Sequence, residues 1–196
     1  MALVISVGSL PMGCQIGGQM PSPTPASTAP VALTPTQSPS RIRPAAPPTS
    51  LKVTGALSAA TDPSAGENAC FFGQPFPGQV RLTTPEMPLS DGQVIGVTMF
   101  ISPSLGTSPA ASPTGDGRAR VRIQRHTRPA GGADSGDWFA TSGTLTVTDS
   151  EHVGDPTQYG VISGSVEAHL TLPDSTLPLD LGGTWGCVIE STANAS

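Results

Sequence analysis

From Leu51 onward, apolar side chains recur at every second position in short runs, and nowhere at the three-to-four-residue interval of a helix. The runs are Leu51–Leu57, Gln79–Leu82, Gln93–Ile101, Arg118–His126, Trp138–Thr148, Tyr159–Leu172 and Thr184–Glu190. Clusters of Gly, Pro, Asp and Ser separate them, as turns require. In Tyr159–Leu172 the two faces can be read directly. Val166, Ala168, Leu170 and Leu172 share one side, and Ser165, Glu167, His169 and Thr171 the other. Short strands at this spacing over residues 51–196 predict one all-β domain, an antiparallel β-sandwich or barrel. The abundance of Gly (23) and Pro (22) argues against a helical bundle.

Upstream of the runs the sequence changes character. Residues 19–50 read QMPSPTPASTAPVALTPTQSPSRIRPAAPPTS, with Pro every two to five places among Ser, Thr and Ala. Each Pro removes a backbone donor and disfavours helix at itself and its predecessor. Too little apolar surface is present to offset the entropy of ordering the backbone. Residues 14–50 therefore read as a disordered tether with polyproline-II bias. At about 3.1 Å per residue, roughly 30 residues reach about 90 Å. The Ser/Thr-Pro content also suits O-glycosylation.

The first ten residues, MALVISVGSL, are apolar and small, and LPMGC follows at Leu10–Cys14. The run is too short for a spanning helix, which needs about 20 residues, and it matches a signal-peptide core of about 7–15. LPMGC resembles the lipobox of bacterial lipoproteins. Gly13 and Cys14 fit it, while Leu10 stands one place early and Pro11 takes the usual leucine position. The resemblance implies a signal peptide over residues 1–13, diacylation of Cys14, and a membrane partner reached through that lipid. Two acyl chains anchor stably where one is marginal. The whole layout resembles bacterial lipoproteins that carry a Pro/Ser/Thr-rich tether and a β-sandwich-like domain. The G-x-V-x-A-x-L pattern at Gly164–Leu170 and the T-W-G-C ending at Cys187 are similar to closing strands of such domains. That likeness transfers no ligand and no catalytic residue.

With Cys14 assigned to lipid, Cys70 and Cys187 remain. Export implies an oxidising compartment, where they are expected to form a disulfide joining the start and end of the domain. The alternative is two free thiols. Their spacing excludes a CxxC metal or redox site.

The net charge of −5 excludes nucleic acid as a partner on electrostatic grounds. Lys52 is the single lysine, and most of the positive charge is arginine in RARVRIQRHTR. On a strand, Arg118, Arg120 and Arg122 would share a face, with Arg125, His126 and Arg128 continuing the positive end. Such a ribbon could bind an anionic envelope polymer or lipid headgroup, because guanidinium suits bidentate contacts to those groups. The competing reading is a charged strand that resists edge pairing, with acids such as Glu167 or Asp137 opposite. Asp149, Glu151 and Asp155 with His152 could face a cation, but their spacing is not that of an EF-hand and reads as a solvated turn. No G-x-S-x-G, H-E-x-x-H, P-loop or G-x-G-x-x-G occurs. The sequence thus predicts no metal, no cofactor and no enzyme. It predicts an extracytoplasmic, lipid-anchored binding or carrier domain, with a structural envelope spacer as the alternative and an extracellular hydrolase last.

Overall fold

The computed structural model describes residues 42–126, 136–173 and 177–189. Among them the regular structure is β throughout, apart from a 3₁₀ turn at Pro63–Ala65. The leader, Cys14, most of the tether and Arg128 lie outside the described residues. No helix among the described residues is long and apolar enough to cross a membrane.

Every alternating run contains a strand, but that of the arginine run begins only at Val121, so Arg118 and Arg120 precede it instead of sharing a strand face with Arg122. In chain order the strands are β1 (Ser50–Gly55), β2 (Ala59–Ala60), β3 (Ala69–Phe72), β4 (Val80–Thr83), β5 (Met87–Pro88), β6 (Val94–Ile101), β7 (Gly106–Pro109), β8 (Val121–His126), β9 (Gly136–Glu151), β10 (Gly160–Thr171) and β11 (Pro178–Ile189). Strands β2, β3, β5 and β7 were not evident in the sequence. Strands β2 and β5 are two residues each, too short for a period of two to register, and β3 (ACFF) and β7 (GTSP) do not alternate apolar with polar residues. Strand β11 also begins six residues before Thr184, at Pro178, because PLDLGG carries its alternation through two leucines and two glycines.

All strands belong to one antiparallel sheet ordered β2-β1-β11-β10-β9-β8-β6-β4-β3, with β5 beside β6 and β7 beside β9. Long hairpins drive its shape. Strands β9 and β10 pair from Phe139–Thr171 to Glu151–Val161, with register irregularities at Ser163/Gly164 and His169/Leu170. Bulges bend a strand and raise its twist, so the sheet curls strongly into a half-barrel. One glycine permits the tightest part of the curl. A Cβ on Gly164 would stand 1.9 Å from the Thr146 carbonyl oxygen and 2.6 Å from Cζ2 of Trp185. The indole of Trp185 lies in that space, almost wholly buried.

The concave face holds the core. Leu51, Val97, Ile123, Leu145, Val166 and Trp185 are among the side chains that meet there. The faces read for β10 hold: Val166, Ala168 and Leu170 are buried and Glu167 and His169 exposed, while Leu172, just past the strand, packs partly buried on the core. The curl brings β3, at one end of the strand order, back against β11 near the other. Here the link is covalent. Cys70 of β3 and Cys187 of β11 form a disulfide with Cα atoms 6.2 Å apart.

The compact unit that carries the sheet runs from Ser40 to Ser196. It therefore includes residues 42–49, which composition alone assigns to the tether. They form no strand, yet they are held to β11, as described next.

Candidate functional site

Where the curled sheet meets itself, a seam remains, and a groove of about 440 Å³ lies along it. Three separate stretches of chain build the groove: 46–50, 61–68 and 85–87, with Gly186 at its side. Its walls carry Pro47, Pro48, Pro63, Pro85 and Met87. Proline has no N–H to offer to a strand ladder, so these walls present apolar faces and cannot close the seam by pairing.

Asn68 holds the seam from behind. It is 7% exposed, and its Nδ2 donates to the Gly186 carbonyl at 2.8 Å and to Thr49 Oγ1 at 2.7 Å. The Gly186 amide donates to the same Thr49 oxygen at 3.2 Å. Thr49 is thereby fixed against β11, and the preceding residues with it. The close approach depends on residue 186 lacking a side chain, since a Cβ there would stand 2.5 Å from Pro47 Cβ and 3.0 Å from its carbonyl oxygen. The Cys70–Cys187 bridge follows this polar clamp, two residues after Asn68 on one side and one residue after Gly186 on the other. Asn68 Oδ1 is buried without a partner.

Acids line the rim. Asp62 caps the 3₁₀ turn, accepting from the Ser64 amide at 2.8 Å and the Ser64 hydroxyl at 2.7 Å. Those bonds, the hydroxyl's first, hold its carboxyl below the usual range. Glu67 accepts from Arg43 at 2.5 Å, and that hydrogen bond likewise lowers its pKa. Glu86 Oε1 meets His126 Nε2 at 2.8 Å.

The arginine run is folded into internal contacts. Alternation persists, with Val121 and Ile123 buried and Arg122 between them on the other face. Arg122 donates to the Ala119 carbonyl at 2.9 Å, and to Thr114 Oγ1 and Asp116 Oδ1 at 2.7 Å each. Its guanidinium also lies 4.7 Å from the Phe100 ring centroid. Arg118 stacks on Phe139 at 5.4 Å, Arg120 reaches Ser108 Oγ at 3.4 Å, and Arg125 pairs with Asp91. Acids that meet the run include Asp116, Asp91 and, at His126, Glu86. Asp137 accepts from Gln124 instead, at 3.3 Å, and Glu167 stands on β10, which does not neighbour β8. Asp116 is drawn down to about 2 from 3.8, first by the Thr114 hydroxyl and then by Arg122 and the Arg118 amide.

A second arrangement lies on the convex face. Strand register sets Ser142, His169, Asp180 and Thr54 in one row across β9, β10, β11 and β1. His169 Nδ1 donates to Asp180 Oδ1 at 2.8 Å. The row has the residue types of an acyl-transfer triad, but it sits in a shallow depression with the histidine 46% and the aspartate 64% exposed. Such a pair is screened by water and orients an imidazole weakly. Ser142 stands opposite His169 without a hydrogen bond to it.

The Asp149–Asp155 stretch divides. Asp149 and Glu151 end β9, and Asp155 caps the following turn through the Thr157 amide at 2.7 Å and hydroxyl at 2.6 Å. Among the described residues no three His, Cys, Asp or Glu side chains converge to hold a metal ion.

Sequence reasoning missed the groove because its walls come from stretches without periodicity. The one available signal was the cysteine pairing, since joining Cys70 to Cys187 carries Asn68 to Gly186. No family model matches the chain, and neither a curated protein nor a solved structure matches it.

Proposed function

We propose that this protein is a lipid-anchored, extracytoplasmic binding or carrier domain, acylated at Cys14 and held off the membrane by its Pro/Ser/Thr tether, with the seam groove as its binding element. The groove is the observation that carries the reading: a concavity of about 440 Å³ with apolar walls, a few convergent polar groups and a clamped rear. Binding sites combine those traits over about 300–1,000 Å³. The arginines serve the fold rather than a ligand in this reading, since those on β8 and the turn before it are engaged within the chain.

The anchor and the groove are tested separately. Cells expressing the full chain and its Cys14→Ser variant are labelled with radioactive palmitate and fractionated. The parent should carry label and sediment with membranes, and the variant should do neither. Equal membrane association of both would overturn the anchor. A thermal-shift screen of apolar peptides, lipids and glycans against the parent and Gly186→Ala should give hits that weaken in the variant. Hits indifferent to Gly186→Ala would place binding elsewhere, and a screen without hits would favour a structural envelope component.

A further inference from the structure

We infer that the convex face around Phe100 and Phe139 is a second binding surface, separate from the groove, and that it takes a linear polymer of phosphate groups. Strand register and ring contacts gather four arginines there. Val80, Leu82, Met99 and Ile101 point into the core, so Arg81 and Phe100, which alternate with them, point out. Arg81 of β4 is paired with Phe100 of β6, and the Phe100 amide donates to the Arg120 carbonyl at 2.9 Å. Arg81 and Arg120 thus stand on either side of Phe100 in the sheet. Arg122 lies 4.7 Å from the Phe100 ring and 6.0 Å from that of Phe139, which also carries Arg118 at 5.4 Å.

Contacts within the chain hold these side chains in place without neutralising all of them. Asp116 pairs with Arg122. Arg81 meets the Phe71 ring at 4.9 Å, Arg118 the Phe139 ring and Arg120 the Ser108 hydroxyl, and all three partners are neutral. None of Arg81, Arg118 and Arg120 forms an ion pair with a carboxylate among the described residues. Asp91 is taken by Arg125, and Asp137 accepts from Gln124. A chain of net charge −5 therefore keeps three permanent positive charges together on one face. Charge complementarity sets the sign of the partner. Guanidinium forks fit the oxygens of phosphate. Arg81 and Arg120 lie two strands apart, roughly 10 Å between backbones, which suits a chain charged at each repeat better than one isolated ion. Nucleic acid fits less well, because bases stack on open rings and Phe100 is 4% exposed beneath Arg122. Phe71, the exposed apolar side chain beside these arginines, has Arg81 over its ring and is not free to enter a bilayer.

The test uses the full-length protein and fluorescence anisotropy with a dye-labelled linear polyphosphate. The parent should saturate at low salt, and log affinity should fall against log salt with a slope of about −2, as three phosphate contacts require. Arg81→Gln, Arg118→Gln and Arg120→Gln should each weaken binding several-fold and flatten that slope by about 0.7. Lys52→Gln, which removes one positive charge from β1, should leave both unchanged. Should the Arg81 and Arg120 variants fail to fold by circular dichroism, Arg118→Gln, at an exposed side chain, and the salt slope carry the comparison. Absence of binding at low salt, or an equal loss with Lys52→Gln, overturns the inference. So does polyglutamate or a single-stranded oligodeoxynucleotide binding as tightly as polyphosphate, or binding confined to phosphatidylglycerol vesicles. Gly186→Ala should not change the affinity. If it does, the polymer sits in the groove, and this surface is overturned while the groove reading stands.

Discussion

Asp116 illustrates how one side chain links a turn to a strand. It accepts from Thr114, Arg118 and Arg122 together, which is why its carboxyl is held at about 2 rather than 3.8. A carboxylate depressed in the folded state stabilises it fully above the unfolded value and loses that contribution as pH falls through the folded one. Its share is therefore present above about pH 4 and disappears toward pH 2. Asp116→Asn should lower the denaturant midpoint at pH 7 and flatten the loss of stability between those two pH values. An unchanged acid limb in a urea titration series would contradict this. Gly186 acts through what it lacks. Alanine there would press on Pro47, including its backbone oxygen, and should cost about 1–3 kcal/mol. The strain should fall on residues 46–49, which form no strand, so hydrogen exchange should rise at Thr49 while β10 stays protected.

Among the elements, the hairpin of β10 and β11 bears most of the architecture. It pairs without interruption from Gly160–Ile189 to Thr171–Pro178. Its inner face buries Val166, Leu170, Leu179, Trp185 and Cys187. Gly164 is where that face is tightest. Gly164→Ala should lower stability by about 3 kcal/mol, near the upper end for overpacking, since the new methyl would meet the Thr146 carbonyl and the Trp185 ring. A denaturant midpoint unchanged by Gly164→Ala would show that the hairpin can move apart there. The seam is the complementary case. Strands β3 and β11 are joined across it by a side-chain clamp and one disulfide rather than by a ladder. Replacing Cys70 and Cys187 together with alanine should remove about 2–5 kcal/mol, as expected for a bridge spanning 117 residues, and should loosen the groove with it. Thermal unfolding with and without reductant measures the first effect, and loss of groove ligands the second.

At the scale of the whole molecule, location and recognition separate along the chain. Anchor and spacer are proposed for the first part, and a half-barrel with one sided groove follows. If the tether acts only as a spacer, deleting residues 20–38 should leave the folded domain and its thermal midpoint unchanged, while bringing it closer to the membrane. Reduced access of a bulky antibody to the domain on intact cells, with unaltered stability of the purified protein, is the expected pair of results. A drop in the thermal midpoint would mean that the deleted stretch packs on the domain.

Seven of the strands, the buried face of β10 and the Cys70–Cys187 pairing were all legible in the sequence. Each rests on a local rule: alternation every two residues, or the fate of paired cysteines in an oxidising compartment. The short strands β2, β3, β5 and β7 were not legible, because two or four residues without alternation carry no period and become strands only by pairing with a neighbour. Nor could the arginine run be resolved. Alternation set Arg122 on the outer face, but only folding brought Asp116, Thr114 and Phe100 to it. The groove belongs wholly to the tertiary structure. Its residues are separated by up to 140 positions, from Ala46 to Gly186, and carry no shared pattern. They meet because bulges curl the sheet until its ends face each other, where proline-lined edges cannot pair and a gap is left between them.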